Sequence, residues 1–161
     1  VVFTLVAIGR SGFVNYNYFN SKEMDVISSK SIERIQNDID KEYVTLEKES
    51  GVKPMKLNLD VDKYALQRCG SSKRYTSIEY LNKYTQESVV FFIFNHKPDA
   101  GEFNIEKDNV VEAYTYQDVT YDIIKNQKRY DISWNKDSIY YILQNCDDIK
   151  ECKKIIESIS H

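Results

Sequence analysis

The sequence predicts an α+β domain: an antiparallel meander sheet of about six to eight strands, with an N-terminal and a C-terminal helix packed on one face. Three observations predict it. A long apolar stripe at helical spacing runs through Ser28–Ser50, alternating or short apolar runs follow from Lys56 onward, and a second helical stripe closes the chain. The links between the runs are short, so neighbouring strands pair antiparallel. At 161 residues, 42% hydrophobic and 29% charged, the chain has the balance of a folded domain and not of a disordered one. We divide it into an N-terminal apolar segment and lead-in, 1–25, and a single α+β domain, 26–161.

In the first helix Ile32, Ile35, Ile39, Tyr43 and Leu46 form one stripe, while Glu33, Arg34, Asp38, Asp40, Lys41, Glu47 and Lys48 take the other face. Ser28, Ser29 and Ser31 offer N-cap oxygens. Gly51 suits the left-handed position just past the helix, and Pro54 follows it. Strands are expected at Lys56–Asp60, Tyr64–Cys69, Arg74–Tyr84, Ser88–His96, Val110–Tyr116, Thr120–Lys125, Arg129–Asn135 and Ser138–Gln144. The breaks between them carry Gly, Ser, Pro, Asp, Asn and Gln, which suit turns. Val89–Phe94 is apolar on both faces and reads as the central strand. The last helix spans about Asp147–Ser158, capped by Asp147 or Asp148, with Ile149, Cys152, Ile156 and Ile159 as its stripe. At the other end of the chain, Val1–Ile8 is a buried strand, a helix start or the tail of a longer hydrophobic segment. Eight such residues fall short of the roughly 20 that span a bilayer.

The chemistry-bearing patterns are few. The net charge of −3 argues against a nucleic-acid partner. No glycine-rich phosphate loop and no nucleophile elbow occurs, and no cofactor is expected. Cys69, Cys146 and Cys152 include no Cys-x-x-Cys pair, and Asp60-Val-Asp62 lacks the rest of a calcium loop, so no metal site is expected. Cys146 and Cys152 are close enough in sequence to bridge, or to lie as two inert buried thiols. His96, at the end of the apolar strand with Asp99 and Glu102 nearby, is the one candidate general base. Nothing around Cys69 suggests an activated thiol, and an enzyme is not expected.

Tyrosine is the compositional outlier, at 13 residues. Its ring and polar tip suit a contact surface, and it also suits strands. Tyr75, Tyr80, Tyr114, Tyr116 and Tyr130 are the candidate contact residues, each equally at home in strand packing.

The C-terminal third, VTYDIIKNQKRYDISWNKDSIYYILQNCDDIKECKKIIESI, runs strand, polar turn, strand ending Ile-x-Trp, polar turn, aromatic strand and helix. It resembles a domain of unknown function found outside the membrane in Gram-positive bacteria, both in anti-sigma-like proteins behind a single transmembrane helix and in sporulation-type lipoproteins. The recurrent positions of that family match Ile132, Trp134, Tyr141, Ile142, Ile155 and Ile159; upstream, its Gly-hydrophobic-x-Pro matches Gly51, Val52 and Pro54. The likeness covers roughly residues 30–160. The family usually has glycine in the turns after the middle strands, where this chain has Gln117-Asp118 and Gln127-Lys128.

The resemblance implies an extracytoplasmic, non-catalytic domain, tethered to the membrane through a segment upstream of or including Val1. The leading expectation is therefore a binding or sensing module that meets a protein, glycan or lipid of the cell envelope. The alternatives are a carrier of a lipid or other hydrophobic ligand, motivated by the doubly apolar strand, and a small enzyme using His96.

Overall fold

The computed structural model describes residues 29–98 and 109–160. The Val1–Ile8 segment and the two carboxylates near His96, Asp99 and Glu102, lie outside the described residues. In chain order come α1 (Ser29–Ser50), β1 (Tyr64–Ser71), β2 (Thr76–Asn82), β3 (Ser88–Phe94), β4 (Val110–Tyr116), β5 (Val119–Asn126), β6 (Arg129–Lys136), β7 (Ile139–Cys146) and α2 (Ile149–Ser158). The strands form one seven-stranded antiparallel sheet in the order β1-β2-β3-β7-β6-β5-β4. It consists of two meanders, β1–β3 and β4–β7, joined where β3 pairs with β7. β3 is interior, but the middle position belongs to β7, because the chain leaves β3 for the far edge and works back.

Both helices lie on the same face. Ile39, Tyr43 and Leu46 of α1 and Cys152, Ile155 and Ile156 of α2 share one core with Tyr64, Ile78, Phe91, Ile123, Ile132 and Leu143. At its centre Trp134, Phe91 and Tyr141 form a mutually stacked triad, with Trp134 5.8 Å from Phe91 and 5.1 Å from Tyr141 between ring centroids, and Tyr121 leans on Trp134 at 5.2 Å. On the opposite face Val90, Phe92, Phe94 and Ile142 make a second buried cluster with Tyr75 and Tyr140 against it. The two clusters account for the double apolarity of Val89–Phe94: alternate side chains enter alternate cores.

The helix ends follow from local chemistry. Gly51 has φ +73°, and its N–H donates to Glu47 C=O at 2.9 Å, closing the last turn of α1. Asp148, and not Asp147, caps α2: its Oδ1 accepts from Glu151 N–H at 2.8 Å.

One expected strand, Lys56–Asp60, is not formed. Lys56 alone makes a two-way bridge with Ser160, at 2.9 and 3.0 Å. Pro54 has no N–H to give, and the main chain of Met55 is taken by side chains: its C=O accepts from Tyr43 Oη and its N–H donates to Tyr141 Oη, both at 3.0 Å. Lys56–Asp60 stays partly exposed, while Pro54 and Met55 are thus pinned between α1 and the sheet as a buried strap. Met55 Sδ completes it by accepting from Trp134 Nε1 at 3.4 Å.

Candidate functional site

The β1–β2 hairpin closes on a serine turn. Ser72 N–H donates to Tyr75 C=O at 2.9 Å, and Ser72 Oγ accepts from the N–H groups of Arg74 and Tyr75, both at 3.2 Å. This turn holds Lys73, Arg74 and Tyr75 facing Glu42, Thr45, Leu46 and Glu49 on the C-terminal half of α1, across an open groove of about 240 Å³. Ser71, Thr76 and Asn95 complete its walls. Two hydrogen bonds fix the α1 carboxylates to the sheet: Thr76 Oγ1 donates to Glu42 Oε2 at 3.4 Å and Asn95 Nδ2 to Glu49 Oε2 at 2.9 Å. The Tyr75 ring itself packs on Phe92, edge-on at 5.4 Å, and on Phe94 at 5.7 Å, in the cluster on the sheet face away from α1. The lining offers hydroxyls, carboxylates, an amide and two cations. That set suits a polyhydroxylated or zwitterionic ligand held by several hydrogen bonds.

Around the start of β1 sits a charged network. Lys63 Nζ meets Asp147 Oδ2 at 2.9 Å and Glu151 Oε2 at 3.0 Å. Asp147 also accepts from Asn82 Nδ2 at 3.1 Å and from Arg129, which pairs in turn with Glu87. Tyr64 Oη donates to Glu151 at 2.8 Å. Burial pulls the Asp147 carboxyl upward, but the Lys63 hydrogen bond and the charges of Lys63 and Arg129 outweigh it and hold the group below its ordinary value. Burial likewise opposes the charge of Lys63, and its two carboxylate partners overcome that and raise its pKa. The network ties β1, the β2–β3 turn, β6 and α2 together, and every member is engaged with another.

The structure disperses the five candidate tyrosines. Tyr75 alone lines the groove. Tyr80, Tyr114, Tyr116 and Tyr130 are half-buried against the helix-side core. Burial pushes Tyr80 up to about 12. Tyr114 Oη donates to Glu157 of α2 at 2.8 Å, with Lys153 Nζ lying 5.1 Å from its ring centre. His96 is exposed; Nδ1 contacts the Asn95 side chain at 2.9 Å and the ring stands edge-on to Phe94. Cys146 and Cys152 are brought together as fully buried free thiols, and a hydrogen bond between them, together with burial, raises the Cys146 pKa. Cys69 is half-buried and also free; burial and the carboxylates of Glu42 and Asp38 push its thiol up to about 11.

Sequence reasoning singled out only Tyr75 among the groove residues. The Ser71-Ser72 pair was legible as a turn, but its apposition to Glu42 and Glu49 depends on how α1 docks. Among the described residues no group of three or more His, Cys, Asp or Glu side chains is placed to hold a metal ion, and no helix is long and apolar enough to cross a membrane. No protein-family model, no curated protein and no solved structure matches the chain.

Proposed function

We propose that the chain is a non-catalytic, extracytoplasmic binding or sensing domain of a membrane-tethered protein, and that its ligand is a hydrophilic component of the cell envelope held in the groove between α1 and the β1–β2 turn. The observation that carries the binding reading is the groove itself, with carboxylates on one wall and cations on the other beside Tyr75. Within the choice of protein, glycan or lipid, such a lining favours a glycan: its hydroxyls would meet donors and acceptors on both walls. An acyl chain would find little apolar surface in such a lining. The tether rests on the apolar run Val1–Ile8 and on the family resemblance, which also supplies the extracytoplasmic setting and the anti-sigma-like context.

Co-sedimentation of the protein with purified cell-wall sacculi tests the reading. Wild type is expected to pellet with the sacculi. Lys73→Ala combined with Glu49→Gln changes two groove side chains that are exposed in the fold, and glutamine keeps an oxygen for Asn95 Nδ2, so it should release the protein while circular dichroism shows the fold retained. A wild type that stays in the supernatant, or a double variant that pellets equally well, contradicts the proposed site.

A further inference from the structure

The sheet has two edges, and they are finished differently. β1 carries a bulge between Leu66 and Arg68, which pairs with Glu79 of β2, and has α1 packed against it. β4, at the other edge, has its bulge at its start, between Val110 and Glu112, and continues regularly from Glu112 to Tyr116 with no proline and no basic residue. The single charge in that stretch, Glu112, is bound by Lys153 of α2 at 2.6 Å.

The register fixes which main-chain groups of β4 face outward. Tyr116 and Val119 flank a two-residue turn in which Gln117 and Asp118 have φ of 48° and 61°, a type I′ hairpin whose flanking residues exchange hydrogen bonds. Alternation then makes Tyr114–Tyr121 and Glu112–Ile123 bonded pairs, and Ala113–Asp122 and Thr115–Thr120 non-bonded ones. The 3.2 Å contact between the Thr115 and Thr120 hydroxyls fits the closer side chains of a non-bonded pair. The N–H and C=O of Ala113 and of Thr115 therefore point away from β5, and among the described residues nothing pairs with them.

We propose that a second copy of this chain fills this edge, its β4 running antiparallel to the first about a two-fold axis at Tyr114, so that the two sheets become one. In that register Ala113 of each copy exchanges both hydrogen bonds with Thr115 of the other. Tyr114 faces its own counterpart across the axis, and Glu112 faces Tyr116, so no like charges are opposed. Self-complementarity is what favours a second copy over a strand of another protein: the pattern small-aromatic-small matches its own reverse, and a net charge of −3 repels little. This interface is independent of the groove, which lies on the other side of the molecule, against β1 and β2.

Sedimentation velocity of the chain over a wide concentration range tests the proposal. Wild type is expected to populate a dimer, and Ala113→Lys with Thr115→Lys to lose it. Both positions are exposed, so the fold should survive, which circular dichroism checks. Mixing that variant with Ala113→Glu, Thr115→Glu should restore a dimer, since each lysine then faces a glutamate. A wild type that stays monomeric, a double-lysine variant that remains dimeric, or a mixture of folded variants that stays monomeric overturns the proposal.

Discussion

Asp147 and Asp131 are both drawn out of water, yet their surroundings move them in opposite directions. Lys63 and Arg129 bring Asp147 below its ordinary value against the pull of burial. For Asp131, 2% exposed, burial dominates and raises the pKa, although its carboxylate accepts from Asn126 Nδ2 and from the bulged Asn145 N–H, each at 3.0 Å. The signs differ accordingly. A carboxyl whose folded pKa is depressed contributes stability that is complete above its unfolded pKa, near 4, and is lost as pH falls through the lower folded value. A raised one does the reverse, and the fold gains as pH falls through that raised value toward the unfolded one. We expect Asp147→Asn to cost about 1 kcal/mol near neutral pH, a figure kept small because the network is part-exposed. The deficit should shrink as wild type is acidified below pH ~4, because the wild-type carboxylate then loses its charge too. Urea unfolding of both proteins across a pH series measures this; a deficit that is constant with pH would rule the linkage out.

At the scale of elements, the turns of the second meander are short and lack glycine. Gln117, Asp118, Gln127, Asp137 and Ser138 all hold φ between 48° and 68°, in the left-handed region that β-carbon-bearing residues enter at a cost. Replacing Gln117-Asp118 with Asn-Gly supplies the pair this turn type prefers and should stabilise the protein by about 1 kcal/mol, roughly 2–4 °C in Tm. Unchanged or lowered Tm in differential scanning calorimetry would show that the strain is relieved some other way. These turns were legible in the sequence as breaks, because their polar residues interrupt an alternating pattern, whereas their handedness was not. Gly51 and Asp148 were readable because a helix cap is a contact between near neighbours. The strap around Met55 was not: its partners Trp134 and Tyr141 lie far along the chain, and alone its segment resembles a strand.

For the whole molecule, the period of the apolar residues and the short links revealed the α+β class and the antiparallel sheet, but not the order of strands. β3 ends at Phe94 and the next strand in the chain, β4, lies at the opposite edge, and no local sequence pattern says which strand comes next to β3. The groove has the same origin. Its walls come from α1, the β1–β2 turn and the end of β3, so only docking brings Glu42, Lys73 and Asn95 together. Placing a polar envelope ligand there makes sense only if the domain faces the envelope, which is the central claim. The most direct measurement is digestion of intact cells carrying the full-length protein with a protease that cannot enter them, probed with an antibody to this domain. The account predicts that the domain is degraded in intact cells while a cytoplasmic marker survives. Protection of the domain until the cells are lysed would place it inside and contradict the account.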